Sequence, residues 1–197
     1  MGHTVIKWMF SASNSITVVA HMRNKRILYY LFLAFGWTVI LFYLSSMSYA
    51  EQDIRPYLRM LVAEEHIAAV FSGVEIPYVN NKMSVDSMGG YQFVEFLFRK
   101  GAHLFFYSVL GYLLVRYFAS SLGRKYWRVF AFSLSILLII AMLDEFLQFH
   151  HPDRSGQWAD VWLDGMGGLK GIITGFLSTY VKKNKKEAKQ KSADSSM

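Results

Sequence analysis

LDEFLQFHHPDRSGQWADVWLDGMGGLKG, residues 143–171, decides how the rest of the chain is read. The apolar run AFSLSILLII (131–140) leads toward it, and IITGFLSTYV (172–181) leads away. Between them stand Asp144, Glu145, Gln148, His150, His151, Asp153, Arg154, Asp160 and Asp164. Polar groups at that density, inside or at the rim of membrane-length segments, are costly to hold there. The default reading is a functional site rather than ordinary surface.

Composition agrees with a membrane setting. The 197 residues are 53% hydrophobic, 17% aromatic and 18% charged, too little charge to cover a soluble domain of this size. The apolar residues come in runs rather than at amphipathic spacing. With no cysteine, a disulfide scaffold, a thiolate metal site and a cysteine nucleophile are excluded. The formal charge of +7 sits at two places. Residues 182–197 carry six lysines against Glu187 and Asp194, and Arg23, Lys25 and Arg26 supply the rest. Both clusters flank hydrophobic runs, so they set orientation in the lipid bilayer and do not point to nucleic acid.

Three regions follow. Residues 1–22 are weakly patterned; MRNKR at Met22 before an apolar run resembles a natural start, so an upstream extension is expected there. Residues 23–181 form a membrane domain, and the lysine-rich 182–197 is expected to be a disordered basic cytoplasmic tail. Four spans are expected, at about 27–47, 99–118, 129–149 and 158–181, each near the ~20 residues that cross a bilayer. Residues 48–98 make an extracytoplasmic segment between spans one and two. Within it, Asp53 is a candidate cap for a helix that Pro56 opens and Gly73 with Pro77 ends. Residues 80–90 are loop-like. Ile54, Leu58, Leu61 and Val62 fall on one stripe, which suits either the membrane surface or packing over the mouth of the bundle. The fold class is thus all-α, an integral membrane four-helix bundle.

Lys and Arg are rich before span one, between Arg116 and Arg128, and in the tail, and poorer elsewhere. The positive-inside rule then puts both termini in the cytoplasm. Arg99, Lys100 and His103 would stand at the outer end of span two, Asp144, Glu145 and Gln148 at that of span three, and Asp160 with Asp164 at that of span four. Spacing groups them further. Lys100, His103 and Tyr107 share one helix face, Asp144 and Gln148 another, Asp160 and Asp164 a third. Asp144 and Asp164 fall roughly 9 Å inside their helices, where a carboxylate must be protonated or paired. Arg99, Lys100 and Arg154 are the available cations.

The pattern K-x-x-H-x-x-x-Y-x-x-x-G at Lys100, His103, Tyr107 and Gly111 resembles the VanZ-like family. So does D-E-x-x-Q-x-x-x-P-x-R at Asp144, Glu145, Gln148, Pro152 and Arg154, with Asp160, Gly167 and Gly171 beyond it. The resemblance covers roughly residues 95–180. It implies a small integral protein of the bacterial cytoplasmic membrane; the family's namesake is associated with teicoplanin resistance, and no mechanism comes with it. Asp164 stands where many relatives have asparagine, and Lys170 interrupts span four with a charge.

Several functional readings stay open. The carboxylates and cations make a structural network that fixes helix register, or a site where Arg99, Lys100 and Arg154 hold an anionic cell-wall or lipid head group. A third reading is catalysis, with Glu145 and His103 as acid and base on a lipid-linked phosphate. A small proton-coupled transporter is a fourth. His150, His151 and Asp153 with Glu145 match no familiar zinc spacing, so no metal and no cofactor is expected. Gly167, Gly171 and Gly175 bare one side of span four for close helix approach. Lys170 either snorkels or pairs with Asp144 or Glu145.

Overall fold

The computed structural model describes residues 2–79, 81–123, 125–152, 154 and 156–194, with the backbone alone described for 2–19, 182–191, 193 and 194. Asp153, and Arg124 within the basic stretch from Arg116 to Arg128, lie outside the described residues. Four long helices dominate: α1 (Gly2–Ser46), α5 (Gly90–Leu122), α6 (Tyr126–His150) and α7 (Trp158–Asp194). Between α1 and α5 come α2 (Arg55–Leu61), α3 (Glu64–Val70), the strands β1 (Ile76–Tyr78) and β2 (Asn81–Met83), and α4 (Val85–Met88). Among the described residues, that hairpin is the only β-structure.

Helix α5 is the centre. It packs on α1, α6 and α7, while α6 also touches α1 and α7. Tyr107, Leu110, Leu114, Leu137 and Ala141 join Ala34 and Leu41 in one apolar cluster. Val115, Val129 and Ile172 form a second, further from the polar end. Glycine brings α5 and α7 together: a Cβ on Gly171 would overlap the Ser108 backbone, and one on Gly111 the Gly168 carbonyl. The Ser108 hydroxyl donates to the Gly167 carbonyl at 2.8 Å across this seam. Such small-residue contact lets two helices meet backbone to backbone.

Among the described residues, three helices are long and apolar enough to cross a membrane: Ala20–Ser46, Gly90–Leu122 and Tyr126–His150. Their outward residues suit lipid, with Phe32 76% and Phe149 71% exposed. By length and composition α7 is not a fourth, because Asp160, Asp164 and Lys170 dilute its apolar stretch.

Other boundaries differ from the sequence reading. Helix α5 begins at Gly90 and not near Arg99, because Gly89 at φ 84° turns the chain directly into it. Residues 81–90 hold structure: β2 pairs antiparallel with β1, in register Ile76↔Met83, and Ser84 forms a capping box with Ser87 at the start of α4. The expected helix after Asp53 is two, α2 and α3, with extended backbone at Val62 and Ala63 separating them. Ile54, already helical in conformation, directly precedes α2, and Asp53 before it supports the helix start: it accepts from the Arg55 backbone N–H at 2.9 Å and from its guanidinium at 2.8 Å. Helix α7 runs on through Asp194 where an unstructured tail was expected. Ala, Lys, Glu and Gln are strong helix formers, so local preference carries the helix past its packed part.

Candidate functional site

The polar residues of α5, α6 and α7 converge at one depth. From α5, Lys100 places Nζ 2.6 Å from Asp160 Oδ1 and 2.9 Å from the Tyr78 hydroxyl. Tyr78 donates to the same Asp160 oxygen in a very short hydrogen bond, and Lys100 Nζ also sits 4.3 Å from the Tyr78 ring centre. The hairpin thereby closes an ion pair between two helices. Burial, with the Asp160 carboxylate beside it, pushes the Tyr78 phenol well above the usual range. Tyr78 therefore stays a neutral donor.

One turn on from Lys100, His103 Nδ1 lies 2.9 Å from Asp164 Oδ1. Asp164 is wholly buried, and its Oδ2 has no hydrogen-bond partner. Tyr107, one turn further and 1% exposed, has its hydroxyl beside the Asp144 carboxylate without a hydrogen bond of normal geometry. From α6, Asp144 is 1% exposed; Oδ2 accepts from Gln148 Nε2 at 3.2 Å, and Oδ1 has no partner. Gln148 Nε2 also donates to Ser45 Oγ of α1 at 2.7 Å. One donor atom each from His103, Asp144 and Asp164 lies within 4.8 Å of the other two. Buried polar atoms usually find partners, so this concentration of unpartnered oxygens is the site's main physical anomaly.

Glu145 goes elsewhere. It is buried, and its Oε1 accepts the Gln157 backbone N–H in a very short bond just before α7. The carboxylate in contact with His103 is Asp164.

The three cations are also differently engaged. Arg99 pairs with buried Glu95 one turn back in a very short contact, and Arg55 reaches the other Glu95 oxygen at 3.1 Å. Arg154 donates to the Leu44 and Met47 carbonyls at the end of α1 and to Gln52 Oε1 at 2.6 Å. The Leu44 carbonyl is among the last of α1, where a helix runs out of backbone donors, and it also accepts from Gln52 Nε2. Tyr49 lies between the two arginines, its ring centre 4.2 Å from the Arg99 guanidinium carbon and 4.8 Å from that of Arg154. Burial is the main influence on Arg154 and lowers its pKa from the usual arginine value.

These groups border a cavity of about 380 Å³. Arg99, Lys100, Arg154, His103, Tyr107, Asp144, Gln148 and Asp160 supply its polar wall, and Leu41, Phe98 and Phe106 part of its apolar wall. Of the residues singled out by sequence, Glu145 and Asp164 stand behind this wall. Glu95, Tyr78, Tyr49, Ser45 and Gln52 were missed. The four-residue spacing of Glu95 and Arg99 was a legible signal, whereas nothing local marks Tyr78 or Ser45, which arrive only through tertiary packing. His150 is exposed and bonds within its own helix, to the Phe146 carbonyl at 2.8 Å. Lys170 is exposed, and among the described residues it forms no ion pair with Asp144 or Glu145.

No curated protein and no solved structure matches the chain. The VanZ/LLP1 family matches it over residues 28–179, a range that takes in α1 from its apolar part, the hairpin, and every helix that lines the site. The chain therefore belongs to the VanZ/LLP1 family and is a multi-pass membrane protein.

Proposed function

We propose that the cavity binds an anionic amphiphile, a lipid-linked phosphate or an acidic cell-wall component, at the outer face of a bacterial cytoplasmic membrane. One observation carries the reading: Arg99, Lys100 and Arg154 share a cavity of about 380 Å³ with Leu41, Phe98 and Phe106. A charged wall facing an apolar one suits a ligand with an acidic head and a hydrocarbon tail. Arg99 Nε is buried and has no acceptor, which leaves a donor ready for that head. A guanidinium can hold phosphate or carboxylate through a two-pronged contact.

In this reading α7 crosses the membrane as the fourth span. Trp158, Trp162, Met166, Ile173 and Leu177 lie exposed along it, while Asp160, Asp164, Gly168 and Gly171 are buried. A helix with its carboxylates turned inward can cross lipid although its summed hydropathy is low. Both termini then lie in the cytoplasm, and the segment from α2 to α4 covers the outward mouth. Binding a wall precursor or acidic lipid there would alter susceptibility to glycopeptides such as teicoplanin, as the family's namesake suggests.

The test is binding of polyprenyl phosphate to the full chain in nanodiscs, read by native mass spectrometry. Removing a hydrogen bond to a charged group costs about 1.5–3 kcal/mol, so Arg154→Ala and Arg99→Gln should each weaken binding about 10–100-fold. Equal retention of a zwitterionic lipid, or no loss in both variants, would overturn the reading. A second reading, a hydrolase or transferase acting on such a ligand, is favoured by the His103–Asp164 contact with His103 at the cavity wall. Turnover of a lipid-linked phosphate that disappears in His103→Gln would establish it.

A further inference from the structure

We propose that His103, Asp144 and Asp164 form a site for a divalent first-row metal ion. The assignment does not depend on what the neighbouring cavity takes. Three helices contribute one residue each, and one donor atom of each lies within 4.8 Å of the other two. An ion held at about 2.1 Å by nitrogen and oxygen ligands needs its donors roughly 3–4 Å apart. Small side-chain adjustments close the remaining distance.

Two independent features point to a cation. The first is orphaned oxygen: Asp164 Oδ2 is wholly buried without a hydrogen-bond partner, and Asp144 Oδ1, equally buried, has only the Tyr107 and Ser45 hydroxyls near its carboxylate and no bond of normal geometry. A structural network would be expected to satisfy its own acceptors. The second is charge. Asp144, Glu145, Asp160 and Asp164 gather here, and the described ion pairs set only Lys100 and His103 against them. Buried charges are held paired or on metals, and one divalent ion offsets two carboxylates.

Chemistry narrows the occupant. One imidazole and two carboxylates, with no sulfur, suit ions such as Mn²⁺ or Zn²⁺ rather than Cu⁺. Three protein ligands leave coordination positions open. His103, Tyr107 and Asp144 border the cavity, so those positions are reached from it.

The experiment uses the full chain in detergent, stripped with a chelator and then reloaded with Co²⁺ or Mn²⁺. Elemental analysis should give about one ion per chain, with the visible bands of protein-bound Co²⁺. Asp144→Asn and Asp164→Asn should each weaken binding by at least the roughly 10–100-fold that loss of an outer-shell partner costs a metal site. Asp160→Asn retains all three donors and should keep the ion. Pulsed EPR of the Mn²⁺ form should show a histidine nitrogen coupling that His103→Gln removes. If the carboxylate variants fail to fold, wild-type stoichiometry and the nitrogen coupling decide the matter by themselves. Absence of stoichiometric metal in the wild type overturns the site. So does binding that survives both carboxylate variants or is lost equally in Asp160→Asn.

Discussion

The two ends of the helix cluster handle buried polarity in opposite ways. Toward the far end, Arg116 of α5 donates to the Tyr30 hydroxyl at 2.9 Å and to Ser178 Oγ at 3.2 Å. Its charge also lies 5.1 Å from the Tyr30 ring centre. One cation thus ties α1, α5 and α7 together beside the apolar contacts of Val115, Val129 and Ile172. Toward the other end, four carboxylates crowd together, and three of them retain an oxygen with no partner. A satisfied pair fixes helix positions, whereas unsatisfied groups keep stability in reserve for something that binds. The contrast separates scaffold from site.

The largest effect should come from the seam that both ends share. Gly171→Leu would drive a side chain into the Ser108 backbone, and a helix backbone has nowhere to retreat. Loss should reach or exceed the ~1–3 kcal/mol typical of overpacking, seen as lost monodisperse protein in detergent. A well-folded variant would mean that α7 does not need close contact with α5.

Next in size is the Lys100–Asp160 pair. Breaking a buried ion pair by removing one partner costs about 3–5 kcal/mol; with Lys100 21% exposed, Asp160→Ala should cost about half of that. A double-mutant cycle with Lys100→Met should return a coupling of about 1–3 kcal/mol. Zero coupling would turn the pair into a bystander.

The comparison itself is tested by setting Arg116→Met against Asp144→Asn. The arginine change strands the partners of a satisfied cation and should cost about 1–2 kcal/mol. In metal-stripped protein the aspartate change removes a charge that one amide supports, so it should fall within about 1 kcal/mol of wild type or above it. Equal losses would erase the distinction between scaffold and site.

The smallest effect concerns pH. Hydrogen bonds from the Arg55 side chain and backbone hold the Asp53 carboxyl at about 2, against an ordinary 3.8. A depressed carboxyl favours the folded form above its unfolded value and stops doing so as pH falls toward the folded one. Hydrogen exchange around Arg55 should therefore stay slow down to about pH 4 and quicken between pH 4 and 2. Unchanged protection across that window would show that the Arg55–Glu95 contact alone holds the start of α2.

Much of this was legible in the chain because local rules suffice. Apolar runs of bilayer length set α1, α5 and α6, spacings of three and four align Lys100, His103 and Tyr107, and four-residue spacing aligns Gly167, Gly171 and Gly175. The start of α5 was read late because its first turns, GYQFVEF, are only partly apolar and resemble the loop before them. Residues 80–90 read as loop in the sequence because a three-residue strand and a four-residue helix carry no periodicity.

The sequence by itself determined that buried carboxylates and cations would meet on neighbouring helices, since periodicity and hydropathy are properties of each segment alone. Only the tertiary structure decided who pairs with whom: Lys100 with Asp160 and Tyr78, His103 with Asp164, Arg99 with Glu95, and Arg154 with the end of α1. The reason is that partner choice depends on how helices rotate and on how closely glycine lets them approach. Those quantities arise from packing between segments that lie far apart in the chain.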